Sequence, residues 1–282
     1  MSAFARPTAL HDALTLMAGG TQRPLAGGTD IYPGAASQLA GDVLDLTGIA
    51  TLRGISQGEG GLRIAGGTSW TAIAEANLPD ALAALQMAAR AVGGRQIQNV
   101  GTLAGNLCNA SPAADGVPPL LICDAVVELT SLRGVRHLPL AAFITGPRQT
   151  LRARDEVLVA VHVPPASLQG QSVFLKLGAR AFLVISIAMV AVRLVRDGDR
   201  VGSIAVAVGA CSATARRLPL VERALIGADL QAAAGLVRAT DVMASLQPIA
   251  DIRASADYRA QAATELVTRA VAQVAQAAQG AG

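Results

Sequence analysis

Aromatic side chains are nearly absent from this chain. Phe, Trp and Tyr together make up 2% of its 282 residues. Proteins that hold single-stranded nucleic acid stack bases on aromatic rings, so that ligand class is excluded. Lysine is scarcer still: Lys176 is the only one among 23 basic residues, and the rest are arginine. A phosphate-binding loop of the GxxxxGK[ST] type needs a lysine directly after its glycines, and Lys176 has no such context.

Cysteine is also short. Cys108, Cys123 and Cys211 form no CxxC pair, and their number is odd. A disulfide framework, a structural zinc and a four-cysteine iron–sulfur cluster within this chain are set aside. Buried free thiols in a reducing cytoplasm are the plain expectation. The three histidines, His11, His137 and His162, are scattered, and neither HExxH nor GxSxG occurs. No metal site, catalytic nucleophile or acid/base pair is therefore expected in this chain.

Charge is low and nearly balanced, at 15% of residues and a net +3. Residues 1–170 carry eleven basic and twelve acidic side chains, and 171–282 carry twelve and eight. No run of like charge appears, so a basic nucleic-acid footprint is not expected. Long apolar runs are missing too. The longest, Ala181–Val192, is bounded by Arg180 and Arg193. It falls short of the ~20 residues that a membrane helix needs. No basic segment followed by an apolar stretch opens the chain. A cytoplasmic protein without membrane insertion is the expectation.

What the chain has in quantity is small aliphatic side chains and 29 glycines. A capped helix is predicted over Ala9–Ala18, with Leu10, Ala13, Leu14 and Met17 on one face. Strands follow near Arg23–Ala26 and Val43–Leu46, then at Leu62–Ala65, with a turn at Gly58–Gly61. Trp70–Ala76 reads as a short helix and Asp80–Val92 as a longer one, stopped by Gly93-Gly94. Arg95–Asp115 lacks helical period and reads as a long loop, which in compact domains is usually functional. Ala125–Thr130 and Val157–Val163 read as strands, and Pro164–Gly170 as a domain boundary. Beyond it, strands are predicted at Ser172–Leu177, Val184–Val195 and Ile204–Ala210, with a hairpin turn at Arg196–Asp199. Helices are expected over Pro219–Ile226, Asp229–Leu246 and Ala254–Ala278.

Two glycine-rich segments carry what chemistry there is. In Leu25-Ala26-Gly27-Gly28-Thr29-Asp30-Ile31, two glycines after an apolar strand let the backbone turn and approach a ligand closely. Successive N–H groups in such a turn suit phosphate oxygens. The same pair would also serve an ordinary tight turn. In Asn99–Leu107, Gly101 and Gly105 repeat the permission, and Thr102 and Asn106 offer short polar side chains. Asp115 lies just downstream. Ionised, it only accepts hydrogen bonds, which suits sugar hydroxyls better than phosphate. A structural loop would use the same residues to satisfy its own backbone. Ala65-Gly66-Gly67-Thr68 echoes Ala26-Gly27-Gly28-Thr29 and reads as a second strand–turn signal. Phosphate-cradling loops without rival chemistry fit a protein that holds a redox cofactor.

Arg6-Pro7, LAGGTD at 25–30, NVGTLAGNL through ASPAAD and PPLL at 99–121, FLKLGAR at 174–180 and DIRASADYR at 251–259 occur in order. This set resembles the FAD-binding subunit of molybdenum hydroxylases, the xanthine dehydrogenase and carbon monoxide dehydrogenase type. The resemblance implies an α+β chain. Residues 1–168 would form an FAD-binding domain of the p-cresol methylhydroxylase type, with subdomains of about 1–56 and 57–168. Residues 169–282 would add an antiparallel sheet packed with helices. It implies FAD held by residues 25–31, by Thr102, Leu103, Ala104, Gly105 and Asn106, and by Asp115. Val184 and Ile185 would lie against the isoalloxazine ring, with Val92 beside the cofactor. Ala104 stands where two adjacent glycines are usual, so an added methyl faces the phosphate loop. Lys176 falls in a motif that often carries lysine, and a solvated surface charge is its plain reading.

The resemblance also implies partners: a large molybdenum-cofactor subunit and a small subunit with two [2Fe–2S] clusters, in a dimer of heterotrimers. Electrons would reach an external acceptor such as NAD. A self-contained flavin oxidase or reductase of the same fold, and a scaffold subunit without FAD, are the alternatives.

Overall fold

The computed structural model describes residues 3–35, 39, 41–181 and 183–280. The chain opens with a small parallel sheet of β1 (Phe4–Ala5), β2 (Arg23–Leu25) and β3 (Val43–Asp45), in the order β1-β3-β2. Helix α1 (Leu10–Met17) buries Ala13, Leu14 and Met17 of its predicted stripe. These residues join Leu44, Ile49 and Leu52 in a core of their own.

A hairpin follows, β4 (Ile55–Gly58) and β5 (Gly61–Ala65), so the expected turn closes a strand pair whose first strand the sequence did not announce. Helices α2 (Trp70–Glu75) and α3 (Ala83–Ala91) come next, with a 3-10 turn at Asp80–Leu82 leading into α3. Leu82, Leu85 and Ala89 are buried as the stripe predicted.

The segment Arg95–Asp115 is not the predicted loop. It folds as α4 (Arg95–Val100) and α5 (Leu103–Asn109), before α6 (Val117–Leu121). Each helix is too short to display a period, and α5 is set by a cap: Thr102 Oγ1 accepts from the Gly105 amide at 3.1 Å. Leu103 and Leu107, one turn apart, are its buried face.

Strands β6 (Val126–Ser131) and β7 (Gly134–Pro139) form the next hairpin. A short α7 (Leu140–Phe143) leads to the small pair β8 (Ile144–Gly146) and β9 (Gln149–Thr150). Strand β10 (Val157–Val163) then inserts between β5 and β6, giving an antiparallel sheet in the order β4-β5-β10-β6-β7.

The last third is a four-stranded antiparallel sheet of β11 (Gln171–Leu177), β12 (Ala188–Asp197), β13 (Arg200–Gly209) and β14 (Arg216–Arg217), in chain order. Helices α8 (Pro219–Leu225), α9 (Ala239–Met243) and α10 (Ala256–Gly280) follow it. Strand β12 explains the apolar run near Ala181–Val192. Its Ala188, Val190, Val192 and Leu194 share a core with Ala263, Val267, Ala270 and Val274 of α10. Its Met189 and Ala191 point the other way, into the core built by Leu82, Leu85 and Leu107. A strand buried on both faces has no polar side to show. Among the described residues no helix is long and apolar enough to cross a membrane.

Two further expectations are corrected. The strand predicted over Val184–Val195 starts only at Ala188, because Ser186 turns aside to donate to Asp115. The helix predicted over Asp229–Leu246 is a 3-10 turn at Ala233–Leu236 and the short α9. Asp229 accepts from the Gln231 amide at 2.8 Å, a local turn that competes with helix. The expected α+β class holds.

Candidate functional site

The two glycine segments meet. At Gly27 an added Cβ would lie 1.9 Å from the Val100 carbonyl oxygen and 2.9 Å from Gly101 Cα. The loop after β2 therefore presses backbone to backbone on the α4–α5 junction. Gly28 has φ +69°, and a Cβ there would sit 2.1 Å from the Tyr32 ring. Glycine is required at both, for different reasons.

The segments differ in what they can offer. The amides of Leu103, Ala104, Gly105 and Asn106 are all engaged: by Thr68 O at 3.1 Å, Gly66 O at 2.8 Å, Thr102 Oγ1 at 3.1 Å and Thr102 O at 3.0 Å. The amides of Gly27, Gly28, Thr29 and Asp30 have no acceptor among the described residues. Four consecutive unengaged N–H groups are the donors that a diphosphate needs. Asp30 Oδ1 accepts from Asn109 Nδ2 at 2.7 Å, which ties this loop to the end of α5.

Ala104 is thereby accounted for. Its amide bonds the Gly66 carbonyl, and its methyl faces Gly66, where an added Cβ would be 3.0 Å away. The echo segment Ala65–Thr68 is thus the seat of the second glycine segment, supplying carbonyls to two of its amides.

Cavities lie on both sides of this junction. One, of about 390 Å³, is bounded by Ala26–Ile31, Thr102 and Ala104–Asn106, with Val92, Ile97 and Trp70. The other, of about 490 Å³, is bounded by Leu25, Arg53, Thr68, Ser69 and Asn99 among others. Ala26, Gly27, Leu46, Thr102, Ala104 and Leu158 line both. Two chambers joined at a glycine waist suit a long ligand with a ring system at each end and a diphosphate between. The first chamber also holds a buried acceptor without a donor, Asn106 Oδ1. A buried polar atom left so is costly unless a ligand completes it. These features fit FAD.

Four of the expected residues line neither cavity. Leu103 is buried beneath α5. Asp115 is 7% exposed and already supplied with donors: Lys176 Nζ at 2.7 Å from Oδ2, and Ser186 Oγ at 2.6 Å to Oδ1. Burial pushes its carboxyl up, against the Lys176 charge and the hydrogen bonds from Lys176 and Ser186. Lys176 is not a solvated surface charge. Its side chain is 12% exposed and also donates to the Ala91 carbonyl at 3.1 Å. Val184 is half-buried and Ile185 exposed, in a segment that Ser186 pins to Asp115. That segment approaches the turn between the lining residues Val92 and Ile97, since a Cβ on Gly94 would meet Leu183 at 2.8 Å.

Sequence reasoning missed several lining residues. Trp70 sets the wall against Gly101 and Gly116, where added Cβ atoms would lie 3.2 and 2.6 Å from its ring. Its being the only Trp was the available signal. Glu156 lines the first chamber and is clamped by Arg136 at 2.6 and 2.8 Å. The Arg136 hydrogen bond, against partial desolvation, holds its carboxyl below the usual range. No local pattern marks that pair, which joins the middle of β7 to the residue before β10.

A cofactor-holding flavoprotein is the class that this fold and site define. The chain belongs to the family described as the FAD binding domain in molybdopterin dehydrogenase, whose model matches residues 1–166. Residues 174–274 match the carbon monoxide dehydrogenase flavoprotein C-terminal domain. The chain is 32% identical over 285 residues to a xanthine dehydrogenase FAD-binding subunit of Escherichia coli O157:H7, covering 99% of this chain and 98% of that one. It is 28% identical to the carbon monoxide dehydrogenase medium chain of Hydrogenophaga pseudoflava, covering 94% of each. Its fold superposes on a chain of reconstituted CO dehydrogenase from Oligotropha carboxidovorans with a TM-score of 0.88 at 26% identity, covering 99% of this chain and 98% of that one.

Proposed function

We propose that this FAD-binding medium subunit holds its cofactor across the glycine waist and serves as the electron outlet of a molybdenum hydroxylase. The observation that carries the reading is the row of unengaged amides at Gly27–Asp30, set between two chambers. In it, Ala26–Ile31 grip the diphosphate, Thr102 and Asn106 supply side-chain contacts, and Leu25, Ala104 and Gly105 shape the walls. Asp115, with Lys176, fixes the segment carrying Val184 and Ile185 at the flavin's edge. Leu103 anchors α5 from below. Bound FAD would supply the exchange of electrons between one-electron centres and a two-electron acceptor such as NAD. The chain's own work is positioning and shielding.

Similarity to medium chains and FAD-binding subunits supports assembly with other subunits. The reading adds a large molybdenum-cofactor subunit and a small [2Fe–2S] subunit, in a dimer of heterotrimers in the cytoplasm. The division into 1–168 and 169–282 is supported by the two family matches. Heat or acid denaturation of the purified full chain should release about one FAD per chain, read by absorption and fluorescence of the supernatant. A colourless chain that takes up no added FAD would sink the reading and favour a scaffold. Flavin that stays attached through denaturation would favour a self-contained oxidase.

A further inference from the structure

Two of the three histidines, scattered in the sequence, come together on the open face of the five-stranded sheet. His137 of β7 stands opposite Glu128 of β6, and His162 of β10 stands diagonally across from the same carboxylate. The alternation along each strand puts Val127, Leu129, Val161 and Val163 into the core and these three side chains outward. The His162 Nε2 and Glu128 Oε2 atoms are 2.6 Å apart, and the imidazoles of His137 and His162 meet edge to face at 5.4 Å. One donor atom from each of the three residues lies within 4.8 Å of the others.

We propose that Glu128, His137 and His162 form a binding site for a divalent transition-metal ion of the zinc type. Two imidazoles and one carboxylate suit a borderline ion, whereas magnesium and calcium take oxygen ligands. Bonds of about 2.1 Å in a tetrahedron put ligand atoms about 3.4 Å apart. The observed spacing reaches that by rotating the exposed His137 inward and opening the Glu128–His162 hydrogen bond. Water completes the shell, because the site faces solvent. Arg63, opposite His162 on β5, lies 3.5 Å from Glu128 Oε2. Its charge opposes the metal, so the ion must displace Arg63 from the carboxylate. Bound metal would clamp β6, β7 and β10 together. Strand β10 begins at Val157 and Leu158, which line the cofactor chamber, so the clamp sits on the strand that supports it.

The untagged full chain, stripped with EDTA, is titrated with zinc chloride by calorimetry and with cobalt(II) by visible absorption. One ion should bind per chain, with the cobalt bands of a low-coordinate nitrogen–oxygen site and no thiolate charge-transfer band. Zinc at a hundred times its dissociation constant should raise the unfolding midpoint by about 5 °C. His137→Ala, an exposed change, should weaken binding at least about tenfold. Arg63→Ala should tighten it, and His11→Ala should leave it unchanged. No binding by the wild type, or equal binding by His137→Ala, overturns the site. FAD content measured on the same samples keeps this outcome separate from that of the cofactor reading.

Discussion

Gly27 and Gly28 forbid side chains in different ways, and their variants should fail differently. A Cβ at Gly27 meets backbone of the other segment at 1.9 Å, so Gly27→Ala must push the two segments apart. Flavin content per chain should collapse, with stability falling by about 1–3 kcal/mol as in other overpacked sites. Thr102 carries a cap as well as a cavity wall. Thr102→Ala should cost about 1 kcal/mol in urea unfolding, and Thr102→Ser should restore most of it. Asp251 supplies a pH test. Desolvation pushes its carboxyl up, but the Arg253 amide and the Arg259 and Arg253 side chains outweigh that and hold it at about 2. A lowered folded value means stability present above the ordinary 3.8 and lost as pH falls toward 2. The melting-point deficit of Asp251→Asn should therefore be full at pH 6 and shrink below pH 4. At this scale the glycines were legible, because only backbone freedom explains them. The saturation of the amides at 103–106 was not, since it depends on carbonyls of Gly66 and Thr68 brought from elsewhere.

Among the elements, long periodic ones could be read and short capped ones could not. Helix α10 spans 25 residues and buries Val267, Val271 and Val274 along one stripe, close to the predicted bounds. Val267→Ala and Val271→Ala should each cost about 2 kcal/mol in denaturant unfolding, because the cavity left between α10 and β12 cannot collapse. Helices α4 and α5 hold six and seven residues, too few for a stripe to repeat. Strand β7 escaped because all but one of its residues are exposed, so it lacks apolar alternation. The false start at Val184 came from reading apolar character alone. The hydroxyl of Ser186 serves Asp115, and the ladder begins after it.

Across the whole molecule, the expected boundary at Pro164–Gly170 separates sheets without separating cores. Phe174, Met189, Ala191, Ala205 and Ala207 from the last sheet pack in one cluster with Leu82, Leu85 and Leu107. Residues 1–168 made alone should therefore expose that cluster's open side and aggregate, and the full chain should unfold in a single transition. Size-exclusion chromatography of the fragment and scanning calorimetry of the full chain test the two halves of the claim. Composition indicated an aliphatic core and the absence of stacking rings. It carried no information on how that core is shared.

Strand β12, sealed between two layers, also sets a timetable for synthesis. One of its faces finds its partners in chain already made, but the other waits for α10. Until the last turns of that helix leave the ribosome, Ala188, Val190, Val192 and Leu194 stay bare on a growing sheet. A nascent chain in that state is a natural client for chaperones that shield apolar strands. Stalling translation between β14 and α10 should leave it bound to them.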